Sequence, residues 1–232
     1  MSETIYSIPI TESFDMRSGC PLCRLRSNLE ESSLHYVMGP AMMEPDVRQE
    51  TNRLGFCHKH LSRMLGMKNK LSLALILESH IKHIETLLDS QSTPKRIFGS
   101  KKDMSETGKS LKDTSESCYI CSRVSEFENR YISNTLHLWK KDDRFRKVFS
   151  EQEFICLHHS GSLLSLAESE LDAKRLAVFQ ATMTGMTHDY LEKLQKDLIG
   201  FAESFDHRNI GKKLSDSERS SIENAIYYLS NM

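Results

Sequence analysis

An all-helical protein in which one helical unit is written twice is what this 232-residue sequence predicts. Three observations carry the expectation. Apolar residues recur at spacings of three and four, the mark of one buried helix face. No convincing run alternates with a period of two. All six cysteines fall in a pattern that occurs twice, C-x-x-C and then C-x-x-H: Cys20, Cys23, Cys57 and His60, followed by Cys118, Cys121, Cys156 and His159. Cys23 precedes Cys57 by 34 positions and Cys121 precedes Cys156 by 35, so the intervals repeat along with the residues.

The elements follow in chain order. Met1 to Phe14 alternates polar residues with isolated apolar ones and contains no hydrophobic run of signal-peptide length. After Cys20, Pro21 suits a first helical turn, Leu25, Leu29, Leu34 and Val37 lie near one face, and Gly39-Pro40 stops the helix. A short helix starts around Glu44-Pro45-Asp46 and ends before Gly55. Cys57 to Leu65 begins the next, and Leu73, Leu77, Ile81, Ile84 and Leu88 mark a long amphipathic one. The second half repeats the order with a long helix over Tyr119 to Trp139, a short one over Asp143 to Phe149, another over Cys156 to Ala167, and a long segment from about Leu171 to Phe205. The capping box Ser215 to Glu218 announces a final helix carried by Ile222, Ala225, Ile226 and Leu229. The expected organisation is a first repeat over residues 1–90, a connector without fixed structure over 91–117, rich in Ser, Thr, Lys and Asp, and a second repeat with the C-terminal helix over 118–232.

Composition narrows the function classes. The 31 Lys and Arg balance 32 Asp and Glu, which leaves no global field to attract nucleic acid or anionic lipid. The longest apolar stretch, Leu71 to Leu77, is too short to cross a bilayer, and no signal-peptide run precedes it. A cytoplasmic protein without a membrane partner is therefore expected. In a reducing compartment, C-x-x-C pairs are metal ligands or redox centres rather than disulfides.

Three thiolates and one imidazole form the ligand set of a closed tetrahedral zinc site. Two ligands three positions apart grip a metal from one helical turn, and two such grips complete it. The expectation is two structural Zn2+ per chain, each held within one copy: Cys20, Cys23, Cys57 and His60 in one, Cys118, Cys121, Cys156 and His159 in the other. Aligning the copies selects the histidines, because His60 and His159 share the third place after a cysteine whereas His58 matches Leu157 and His158 matches Lys59. Arg24, Arg26, Lys59 and Arg123 lie close enough in sequence to moderate the net negative charge.

Rival readings were weighed on the same residues. Sulfur-rich ligation also suits an iron-sulfur cluster. Covalent haem is excluded, since Arg24 and Ser122 follow the C-x-x-C pairs where histidine would be required. A thiol-redox enzyme or sensor would use the C-x-x-C pairs but leave C-x-x-H unexplained. His80 and His83, with Glu78 and Glu85, are read as helix-face residues, His80 being half-buried and hydrogen-bonded rather than a ligand. Trp139 to Lys147 mixes aromatics with bases as a nucleic-acid surface does, yet Asp142 and Asp143 favour a solvated face. No Walker sequence, dinucleotide turn or nucleophile elbow occurs, and no catalytic residue is assigned.

Met43-Glu44-Pro45-Asp46-Val47-Arg48, Gly55-Phe56-Cys57, Leu138-Trp139-Lys140-Lys141 and Phe205-Asp206-His207-Arg208-Asn209 together give a resemblance to an uncharacterised family of bacterial proteins with a domain-of-unknown-function label. It covers nearly the whole chain. The resemblance implies a cytoplasmic helical protein with paired cysteine and histidine motifs, and carries no activity; the chain has His207 where the family pattern has tyrosine. The expected role is that of an interaction or regulatory module with an unknown protein partner, the alternatives being the thiol-redox protein and a nucleic-acid binder.

Overall fold

The computed structural model describes the backbone of residues 3–92, 101–209 and 213–230, and side chains within 7–89, 108–209 and 213–230. Among them every regular element is a helix and none is a strand. The chain divides into two compact units, residues 1–27 with 128–232, and residues 28–127. These units do not coincide with the repeats read along the sequence, because each boundary falls inside a helix that follows a C-x-x-C motif.

The unit formed by 1–27 and 128–232 opens with α1 (Glu3–Asp15), a helix that contains Pro9 and whose apolar residues are scattered in sequence. One face of α1 nonetheless buries Ile10 and Phe14 completely. Phe14 lies 5.0 Å from Phe145 and 5.7 Å from Phe149 between ring centroids, and its carbonyl accepts a 2.6 Å bond from Gln152 Nε2. Phe145 and Phe149 belong to α8 (Asp143–Ser150), whose N-cap Asp142 accepts from the backbone N-H groups of Arg144 and Phe145. The sequence reading placed Trp139 to Lys147 on a solvated face. Its aromatics are in fact core: Trp139 and Phe145 are buried, and the Arg146 guanidinium lies 5.1 Å from the centroid of the Trp139 ring. Phe14→Ala is expected to cost about 3–5 kcal/mol, the usual range for emptying such a site. Chemical denaturation of the variant checks it, a loss under about 1 kcal/mol showing that α1 contributes little.

The same core takes in α9 (Leu157–Glu170) and α10 (Ala173–Glu203), through Leu163, Ala167, Phe179, Met183 and Tyr190. At the C-terminus the capping box forms as read, with Ser215 and Glu218 exchanging bonds, but the helix breaks at Ser220 into α11 (Asp216–Arg219) and α12 (Ser221–Leu229). The buried face of α12 is also not the one expected. Tyr228 is 1 % exposed and packs on Phe154 and Tyr190, while Ile222, Ile226 and Leu229 are 43 %, 59 % and 60 % exposed. Two adjacent tyrosines against three aliphatic residues leave the helix without one apolar side, so periodicity does not choose between them.

The unit of residues 28–127 contains α3 (Pro45–Leu54), α4 (His58–Gly66) and α5 (Lys70–Ser92), close to the expected bounds. Leu73 and Ile76 of α5 join a core with Leu34, Val37, Met42, Met64, Ile120 and Val124, whereas Ile81 and Leu88, expected on its buried face, are exposed. Of the expected connector, residues 93–100 lie outside the described ones; Lys101–Glu116 form α6, which packs against α5. A polar sequence with half-buried Leu111 and Thr114 is enough for a helix that has a neighbour to lie on. His80 behaves as read: it is half-buried, and its Nδ1 bonds the Asn52 carbonyl at 2.9 Å.

Two helices belong to both units by residue number. They are α2 (Pro21–Met38), which follows the first C-x-x-C, and α7 (Tyr119–Lys141), which follows the second.

Candidate metal centres

The local chemistry of each motif sets up a helix start. Cys57 and Cys156 are the N-cap residues of α4 and α9, and Cys20 and Cys118 immediately precede α2 and α7. Each motif's second member, Cys23, His60, Cys121 or His159, sits in the first turn, where unpaired N-H groups and the positive dipole end favour thiolate.

All eight expected residues come together in two groups of four, but the expected pairing is exchanged. Cys20 and Cys23 join Cys156 and His159; Cys57 and His60 join Cys118 and Cys121. Within each group the ligand atoms lie within 4.8 Å of one another. Each C-x-x-C thus stands with the C-x-x-H that is not the next one along the chain. Matching intervals fix which residues correspond. They are silent on which motifs meet, because both pairings are compatible with the same sequence.

In the first group His159 Nδ1 is 3.1 Å from Cys156 Sγ, 3.4 Å from Cys23 Sγ and 3.6 Å from Cys20 Sγ. In the second, His60 Nδ1 is 3.1 Å from Cys57 Sγ, 3.2 Å from Cys118 Sγ and 3.5 Å from Cys121 Sγ. A zinc tetrahedron with bonds of roughly 2.0 to 2.3 Å has edges of about 3.3 to 3.8 Å. The donor sets therefore fit the metal in chemistry and in size. Electrostatics point the same way. Contact with Cys156 and Cys20, together with burial, raises the Cys23 thiol far above its ordinary value. Burial and then the Cys118 and Cys57 sulfurs push Cys121 up to about 12. His159 is pushed up to about 11: burial opposes its charge, but Cys156, Cys20 and Glu128 outweigh it. Burial lowers His60 in the second group, so the crowding of the sulfurs, rather than the histidine, is what suits a cation in both.

Two functional carboxylates escaped the sequence reading. His159 Nε2 is 2.9 Å from Glu128 Oε1, and His60 Nε2 is 2.8 Å from Glu30 Oε1. Each carboxylate faces Nε2 while the sulfurs face Nδ1, the arrangement that would select a metal-binding tautomer once a cation sits among the sulfurs. Burial opposes ionisation of Glu30, but hydrogen bonds from Lys59 and His60 pull it down to about 2. Glu128 is lowered in the same way, against burial, by His159 and then Arg26. A signal was available: Glu30 follows Cys23 by seven positions, as Glu128 follows Cys121. Seven residues are two helical turns, so α2 and α7 each give thiols to one group and a carboxylate to the other.

The four expected cations divide. Lys59 reaches Glu30 at 2.9 Å and Arg26 reaches Glu128 at 3.7 Å, so these two act on the carboxylates. Arg24 instead donates to the Ser13 carbonyl at 2.6 Å, and Arg123 stacks 5.5 Å over the Tyr36 ring. His58 and His158 stay outside both groups of four; His158 stands 4.0 Å from Glu128 and makes a smaller cluster with it and His159.

The loop before Cys57 needs glycine. Gly55 has φ +57°, and a Cβ there would meet the His80 ring at 3.0 Å. Its carbonyl accepts from Tyr119 N at 3.0 Å, and the Leu54 carbonyl from the Ser117 hydroxyl at 2.7 Å, which ties the two motifs of the second group together.

His58→Ala and His158→Ala are expected to retain about two zinc ions per chain, and His60→Ala and His159→Ala to lose about one each. Metal analysis of the four variants decides it, loss from either outer-histidine variant reversing the assignment at that site. Glu128→Gln should weaken metal at the first group by about 10–100-fold and leave the second unchanged, with Glu30→Gln doing the converse. Competition against a chelator of known affinity measures both; equal affinity in wild type and variant would show that the carboxylates do not tune the sites.

Over residues 1–232 the chain matches the family described as "Family of unknown function (DUF6062)". No curated protein and no solved structure matches it.

Proposed function

We propose that this chain, which belongs to the DUF6062 family of unknown function, is a zinc-binding protein whose two Cys3His sites are structural and whose surface acts as an interaction or regulatory module. The observation that carries the reading is the closure of each group: four protein ligands around one point leave no coordination position for water or substrate. A catalytic zinc keeps such a position open. The exposed row of Ile222, Ile226 and Leu229 on α12 supports a surface role, since three aliphatic residues facing solvent suit a contact better than a solvated face. No helix among the described residues is long and apolar enough to cross a membrane.

Elemental analysis of anaerobically purified protein tests the reading. About two zinc per chain, without the visible absorption of an iron-sulfur cluster, is the expected result. Substoichiometric metal with freely reactive thiols would replace it with the thiol-redox reading.

A further inference from the structure

We propose that Cys57 and Cys121 are a site of oxidative modification, a thiol pair that a hydroperoxide joins into a disulfide, emptying the second group of metal while the first keeps its own. The inference deepens the zinc reading above and rests on it for the metal-release step.

The two groups share a ligand set but differ in access. In the first, Cys20 is 0 % and Cys156 1 % exposed. Cys23 is half-buried, and the Tyr227 ring lies against Gly19, where an added Cβ would stand 3.4 Å from the hydroxyl oxygen. In the second group Cys118 is 4 % exposed, Cys57 is half-buried and Cys121 is exposed. Oxidant must reach sulfur to react, so susceptibility follows access among thiolates of similar ligation. The reachable sulfurs are Cys121 and, next to it, Cys57, with Sγ atoms 3.9 Å apart. They come from different motifs, so the pair is not a C-x-x-C dithiol. A disulfide needs about 2.05 Å, so the two sulfurs, at the N-cap of α4 and in the first turn of α7, must approach by roughly 2 Å on oxidation.

The chemistry balances with peroxide as oxidant. The Cys121 thiolate attacks one oxygen of hydrogen peroxide; an S-O bond forms, the O-O bond breaks, and hydroxide leaves and takes a proton to become water. The sulfenic acid is then attacked by the Cys57 thiolate. An S-S bond forms, the S-O bond breaks, and a second hydroxide leaves and is protonated. Two sulfurs have each lost one electron and the peroxide has been reduced to two waters. Cys118 and His60 alone remain as ligands, and two donors do not hold zinc against water.

The test uses the full unmodified chain, so no variant has to fold. Zinc content is measured first. Hydrogen peroxide is then added in stoichiometric steps, released zinc is followed with a chromogenic chelator, and cysteines are mapped by alkylation and peptide mass spectrometry. The expected result is a first phase releasing about one zinc per chain, at least about tenfold faster than the second, with a Cys57–Cys121 cross-link and with Cys20, Cys23 and Cys156 still reduced. Release of both metals together, earlier oxidation of the first group, or a Cys118–Cys121 cross-link overturns the proposal while leaving the zinc reading intact. Protein purified without zinc fails the zinc reading instead, and the cross-link map on that sample still decides the thiol pair.

Discussion

The double variant Cys20→Ser/Cys156→Ser should lose about one zinc per chain, and Cys20→Ser/Cys57→Ser should lose both. Cys20 and Cys156 stand in one group, so their joint removal damages one site, whereas Cys20 and Cys57 stand in different groups. Pairing within each copy would give the opposite result for both variants. A serine hydroxyl is a poor substitute for thiolate at a buried zinc, so each damaged site is expected to lose its metal outright. Native mass spectrometry counts the ions without unfolding the chain. Two zinc lost from the first variant and one from the second would refute the exchanged arrangement.

Stripping the metal should unfold the unit around each site. A structural zinc contributes on the order of 10 kcal/mol, comparable with the entire stability of a domain of this size. In the unit of residues 28–127, the metal would tie the start of α4 to the start of α7, elements joined in sequence only through α5, α6 and the stretch between them. Far-UV circular dichroism with a strong chelator should show lost helicity, and readded zinc should restore it. Unchanged helicity and melting temperature after complete removal would mean that the apolar cores hold the fold alone.

Much of the helical frame was legible because its signals are local. Pro21 and Gly39-Pro40 bracket α2, Gly55 ends α3, and Ser215 with Glu218 caps α11, each acting within a turn of its own position. The ligands were legible for the same reason, since two donors gripping a metal from one turn must lie three apart. What escaped depends on partners distant in sequence. The exchange of motifs is invisible to a pattern that repeats. The burial of Phe14 depends on Phe145 and Phe149, more than a hundred residues on, and the choice of Tyr228 over Ile226 depends on Phe154 and Tyr190. Glu30 and Glu128 do carry a local mark, the same seventh place after the second cysteine of each C-x-x-C.

The exchanged pairing also sets an order of events during synthesis. A ribosome adds about 5–20 residues per second, and Cys20 precedes His159 by 139 positions. The first thiols to emerge therefore wait on the order of ten seconds for the residue that completes their site, while Cys57 and His60 need only the chain as far as Cys121. The unit of residues 28–127 holds all four members of the second group, whereas the unit of residues 1–27 and 128–232 draws the first group from both sides of that segment in sequence. Of the eight residues in the two groups, Cys20 and Cys23 are made first, and they wait about twice as long for His159 as Cys57 waits for Cys121.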